Sequence, residues 1–161
     1  MIGDCQCLID GQHITNEKLI DSLMANMRND ILQSYLKKYT IEQLMEEDHS
    51  WKDIQPFMLR QYSFQNSQFE SPLSYAVCDG FSIHESQLKK VKIQNAKSIV
   101  LASDGYPELE NTLEATEEKL QLFLKNDPLC FSIYRSVKGL KKGNISFDDR
   151  TYVKVNLERQ I

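Results

Sequence analysis

Apolar and polar positions change period several times along this chain, and each change predicts an element. Cys5 to Ile9 and Gln12 to Thr15 read as two short strands joined at Asp10-Gly11, a hairpin pattern. From Asn16 to about Lys38 the period becomes helical, with Leu19, Ile20, Leu23, Met24, Met27, Ile31, Tyr35 and Leu36 at three- and four-residue spacing. Thr40 with Gln43 has the spacing of a capping box and opens a short helix through Met45. Asp48 is positioned to cap a further helix holding Trp51, Ile54 and Phe57, although Pro56 interrupts it, and Gln61 to Pro72 is a polar, aromatic loop.

Strand character returns at Leu73 to Cys78, ended by Asp79-Gly80, and at Leu88 to Ile93, where Val91 and Ile93 alternate with lysines. Ile99 to Leu101 is a continuous β-branched and apolar run, expected to be buried on both faces. Asn111 and Glu114 open a helix whose stripe is Leu113, Leu120, Phe123 and Leu124. Asp127-Pro128 starts another short helix toward Val137, Lys138 to Asn144 is a mobile loop, and Tyr152 to Leu157 is the last strand. The order of elements is α+β, an antiparallel sheet covered by helices. A chain that enters a strand at Cys5 is expected to be preceded by more of the same domain.

Length and composition narrow the function. The 161 residues suit one domain with a real core, 41% hydrophobic and 26% charged. A net charge of −4 argues against a nucleic-acid partner, because phosphate neutralisation needs a basic surface. No apolar run reaches the length of a membrane span and no leader pattern is read, so the expected location is the cytoplasm. Cys5, Cys7, Cys78 and Cys130 lack zinc-site spacing and are expected to be reduced core thiols. His13, His49 and His84 are scattered and receive no role.

The candidate chemistry lies where Ile99-Val100-Leu101-Ala102-Ser103 runs into Asp104-Gly105-Tyr106-Pro107. A carboxylate at a strand end is held rigidly and suits a hard cation. The same dipeptide at Asp10-Gly11 and Asp79-Gly80 is an ordinary turn signal, so a structural turn is the competing reading at Asp104. A second acid favours the chemical reading: Asp148-Asp149 stands just before the last strand, and antiparallel pairing would bring Asp148 beside Asp104.

Taken together, Ile2-Gly3-Asp4-Cys5-Gln6, Leu101-Ala102-Ser103-Asp104-Gly105 with Glu108, and Asp148-Asp149-Arg150-Thr151 resemble, in order, the later motifs of type 2C metal-dependent serine/threonine protein phosphatases. The resemblance covers most of the chain and about the C-terminal two-thirds of such a domain. It implies a partial α-β-β-α sandwich and a phosphoprotein substrate. It implies Mn²⁺ or Mg²⁺ held by Asp104 and Asp148, with Asp4 and Glu108 as accessory ligands and Gly105 and Asp149 in the adjoining turns.

The family's phosphate-gripping arginine and metal-bridging D-G-x-x-G acid have no counterpart in this sequence. Cys5-Gln6 stands where Ser-Arg is usual, and Asp149 where Asn is usual. The expectation is therefore a phosphatase-type domain carrying part of a site, with little turnover by itself. Its partners are the missing N-terminal half or a second copy, with neither nucleic acid nor membrane. A non-catalytic phosphatase-like binding module, and an unrelated α+β domain in which the acids are turns, are the alternatives.

Overall fold

The computed structural model describes residues 1–69 and 71–157. Strand β1 (Gln6–Ile9) forms the expected hairpin with β2 (Gln12–Thr15), Asp10 and Gly11 both adopting positive φ in the turn. β1 also pairs antiparallel with β3 (Ser98–Ala102), which pairs antiparallel with β4 (Tyr152–Asn156). The sheet order is β2-β1-β3-β4, and the fold is α+β. It is the one sheet formed among the described residues, and a sandwich needs a second.

Helix α4 (Leu113–Asn126) covers one face of this sheet, laying Leu120 and Leu124 on Leu8, Val100 and Ala102. Tyr106, Leu109, Cys130 and Phe147 complete that core. The central strand is buried on one face only. Val100 is 1% exposed, but Leu101 is 48% exposed and lies beside the half-open Val153 of β4.

Helices α1 (Leu19–Tyr35) and α2 (Ile41–Glu46) build a second, smaller core from Leu32 and Leu44 with Leu129 of the segment after α4, and α3 (His49–Met58) packs along α1. The α2 capping box forms as its spacing predicts, and Asp48 caps α3 through the Trp51 amide at 3.0 Å. The buried face of α1 keeps Ile20 from the predicted stripe, with Tyr35 and Leu36 packed on the second core, but departs from it elsewhere. Leu19 and Leu23 are exposed, while Arg28 and Asn29 are buried. The Arg28 guanidinium is sequestered because Asp48 takes Nη2 at 2.6 Å and the carbonyls of Leu129 and Ser136 take Nη1 at 3.0 and 2.9 Å. A buried charge is tolerated when its donors are satisfied in this way.

Several elements differ from expectation for reasons visible in the hydrogen bonding. Leu73 to Cys78 is not a strand, because the Asn66 side chain takes both backbone groups of Val77, leaving one isolated bridge between Gln65 and Tyr75. Leu88 to Ile93 is extended without a ladder, tied down by two backbone contacts between Lys89 and Met1. Thr112 rather than Asn111 caps α4, its hydroxyl accepting from the Ala115 amide. Lys138 to Asn144 is anchored, with the Leu140 amide on the Pro128 carbonyl and the Lys142 amide on the Met45 carbonyl. Glu70, inside the Gln61 to Pro72 loop, lies outside the described residues. All four cysteines are free, but only Cys7 and Cys130 are buried.

No helix forms between Asp127 and Val137. The Asp127 carboxylate instead accepts the amides of Phe131, Ser132, Ile133 and Tyr134 at 2.7–3.4 Å, and Cys130 turns left-handed with φ +51°. Arg28 occupies the Leu129 carbonyl that a helix would have used. Asp127→Ala removes the buried acceptor of those amides in a partly exposed turn and is expected to cost about 1–3 kcal/mol of stability. Urea denaturation followed by circular dichroism checks this, and an unchanged midpoint would contradict it.

Candidate functional site

The sheet register gathers three of the sequence-selected acids at one end. Gln6, Ala102 and Tyr152 lie side by side across β1, β3 and β4. Asp4 enters β1, Asp104 leaves β3 and Asp148 leads into β4 at that same end. The segments that carry Asp104 and Asp148 are stitched together directly. The Ser103 amide donates to the Thr151 carbonyl at 3.2 Å, and the Thr151 amide donates to Ser103 Oγ at 2.9 Å.

Gly105 makes this contact possible. A Cβ there would collide with the Asp149 carbonyl oxygen and approach Arg150 Cβ to 2.9 Å. Gln6, buried in β1, clamps the turn from the other side, its Nε2 donating to the carbonyls of Ser103 and Tyr106, both at 2.7 Å. His13 Nε2 meets Gln6 Oε1 at 2.6 Å and so orients that amide. Burial holds the His13 pKa below its ordinary value, against the opposing pull of the Glu108 charge. Neither Gln6 nor His13 was selected from sequence. A polar residue at a β-strand position facing a core was the available signal for Gln6.

A latch closes the far side of the turn. Tyr106 donates to Glu117 Oε1 at 2.5 Å, and Arg150 donates to the same carboxylate through Nε at 2.7 Å and Nη2 at 2.9 Å. This fixes α4 against both acid-bearing segments through a bidentate pair. Tyr106 is pushed up to about 12 by burial and by this anionic acceptor.

The three Asp-Gly pairs now separate. Asp10 accepts from the amides of Lys97 and Ser98, which lowers its pKa, the Ser98 bond most. Asp79 accepts from Gln65, Asn66 and the Phe81 amide, and is lowered by the Gln65 bond first. Both are turn acids. Asp104 has no hydrogen-bond or ion-pair partner on another described residue. Burial, reinforced by the charges of Asp4 and Asp148, lifts it from 3.8 to about 6.

The folded state therefore binds a proton there more tightly than the unfolded chain. Stability is gained as pH falls from about 6 toward 4, and is absent above that window. A cation beside Asp104 at neutral pH would relieve the same repulsion.

The neighbouring acids carry ammonium counter-ions. Lys18 Nζ lies 2.6 Å from Asp4 and 2.9 Å from Asp21, and Lys138 Nζ lies 2.6 Å from Asp148. Glu108 is engaged elsewhere, with Lys119 at 2.8 Å, and Asp149 makes no ion pair among the described residues. Among those residues no three His, Cys, Asp or Glu side chains meet closely enough to hold a metal ion. The Asp104–Asp148 pair suits Mg²⁺ or Mn²⁺ in ligand type, since such ions are often held by one or two carboxylates with water completing the sphere. No helix among the described residues is long and apolar enough to cross a membrane.

Comparison with known proteins adds no relative: no family model matches the chain, and neither a curated protein nor a solved structure matches it.

Because Gly105 admits the 148–151 segment, Gly105→Ala is expected to destabilise the fold by about 1–3 kcal/mol, in the range of overpacked sites. It should also lower the Asp104 pKa as Asp148 is pushed away. A thermal melt together with a carboxyl-resolved pH titration reads both, and an unaltered pair of values would contradict the contact.

Proposed function

We propose that this chain carries part of a type 2C-like, metal-dependent phosphoprotein phosphatase centre acting in the cytoplasm, with Asp104 and Asp148 holding one Mn²⁺ or Mg²⁺. The observation that carries the reading is the Asp104 carboxylate, which is half-buried, unpartnered by any other described residue, and raised first by that burial and then by the charges of Asp4 and Asp148 from the neighbouring segments. A divalent ion bound there supplies positive charge to a phosphate ester and acidifies a coordinated water. The chain's own part is to fix the two carboxylates through Gly105, Gln6 and the Arg150–Glu117 latch. Asp4 is an accessory acid whose charge Lys18 balances, and Asp149 lies in the adjoining turn.

The second reading, a phosphatase-like binding module without hydrolysis, is favoured by one specific feature. Lys18 and Lys138 already neutralise Asp4 and Asp148, so the group carries internal cations of its own.

Calorimetry with Mn²⁺ separates the readings. Asp104→Ala and Asp148→Ala are each expected to weaken binding by tenfold or more, roughly the 1.5–3 kcal/mol of one charge-assisted contact. The unsubstituted chain is expected to turn over little or no aryl phosphate. Metal affinity indifferent to both substitutions would favour the binding module, and robust Asp104-dependent turnover would contradict the partial site.

A further inference from the structure

The sheet ends in an open strand. β4 stands last in the order β2-β1-β3-β4, with β3 on one side and no described residue hydrogen-bonded to the other. The Leu157 amide reaches the Lys97 carbonyl at 2.8 Å, and the Ser103 amide reaches the Thr151 carbonyl at 3.2 Å. An antiparallel ladder alternates in steps of two, so the backbone groups of Val153 and Val155 also turn toward β3. Those of Tyr152, Lys154 and Asn156 turn outward, and none has a partner among the described residues.

This edge lacks the usual guards, which are a proline, a bulge or an outward lysine. At the opposite end of the sheet, Lys89 donates to the Thr15 carbonyl of β2. From Tyr152 to Leu157 there is neither proline nor glycine, and β4 pairs with β3 residue for residue without a bulge. Its one lysine, Lys154, shares the helix side of the sheet with Val100 and is tied to the Asn111 carbonyl at 2.9 Å. The other side of the strand is apolar and open, with Val153, Val155 and Leu157 exposed beside Leu101. Over β1 that same side is closed, since the Met1 sulfur lies 3.9 Å from the buried Cys7 Sγ. The open strip therefore runs along the free edge.

We infer that a second copy of this chain adds its own β4 to this edge, antiparallel and across a two-fold axis at Val155, joining the two sheets edge to edge. The strand is its own complement there. Val155 faces Val155 of the second copy and Val153 faces its Leu157, so the two apolar strips become one. Lys154 exchanges backbone hydrogen bonds with Asn156 of the second copy, and the symmetry repeats the pair, which satisfies the outward groups of both residues. Charge and strand length select this register. An axis at Lys154 would set two lysines directly opposite each other, which is destabilising. An axis at Val153 would run Val155 and Asn156 past the strand onto Thr151 and Arg150. Side chains on both faces of β4 are exposed from Val153 to Leu157, so the edge is open to a neighbour. The inference stands on the sheet and is independent of the phosphatase reading.

One strand pair is a small interface, of the class that forms weak and transient complexes. Sedimentation velocity on the full chain, from about 5 µM to about 500 µM, reads the association, and amide hydrogen exchange by NMR over the same range locates it. The chain is expected to pass from monomer to dimer, with the Lys154 and Asn156 amides slowing as the dimer forms. Asn156→Asp sets a carboxylate opposite Lys154 at two symmetry-related places and is expected to tighten the dimer about threefold or more. Asn156→Lys sets like charges at the same places and is expected to weaken it by a similar factor. Asn156 is exposed at the end of β4, so both variants should melt as the unsubstituted chain does when dilute.

A monomer at every concentration would overturn the inference. A dimer indifferent to both substitutions would overturn it as well, because its contact then lies on another surface. Lys154 and Asn156 amides already protected in the dilute monomer would do the same, since the edge is then covered within one chain.

Discussion

Gly105 lies so close to the Asp149 carbonyl and Arg150 Cβ that no side chain fits between them. This approach sets the distance between the end of β3 and the start of β4, and the rest of the acid end follows from it. The Ser103–Thr151 bonds continue the sheet ladder past its last paired residues. Gln6 then pins the intervening turn from β1, and Arg150 reaches Glu117 to tie α4 to the same point. A carboxylate on such a turn cannot relax away from its neighbours, so the repulsion felt by Asp104 is a product of the fold.

That repulsion is balanced nearby. Lys18 serves Asp4 and Lys138 serves Asp148, while Asp104, like Asp149, has no ion-pair partner on any described residue. A charged group kept unpaired in a half-buried place costs stability. Asp10 and Asp79 give the contrast within the same chain, because each spends its carboxylate on amides of its own loop. Identical dipeptides thus have different chemistry, decided by which neighbours the topology supplies.

The hairpin, β3, β4, the α2 capping box and the Asp48 cap were legible because each rests on local pattern: period two, a turn dipeptide, or a side chain three residues from an amide. The approach of the Asp148 segment to the end of β3 was legible too, since antiparallel order predicts which strand ends meet, whereas Asp4 entered only through the motif resemblance. What was hidden depended on side chains reaching across the fold. Asn66 replaced a strand partner for Val77, and Asp127 and Arg28 consumed the backbone groups of a would-be helix. The buried stripe of α1 ran through Arg28 rather than Leu23, because a guanidinium with every donor matched can lie inside. Gln6 and His13 escaped notice because their value lies in a hydrogen bond to a distant turn rather than in any spacing.

Asp104 and Asp148 share one electrostatic field at the rim of the sheet, and the chemistry of this end follows from it. Carbon-13 NMR of the aspartate carboxyl groups, titrated with pH in the absence and presence of Mg²⁺, tests this most directly. Asp104 is predicted to titrate at about 6 without metal, and Mg²⁺ should draw it below the ordinary carboxylate range while the Asp148 signal moves with it. An Asp104 that titrates like an exposed aspartate, or that ignores Mg²⁺ while Asp148 stays still, would contradict it.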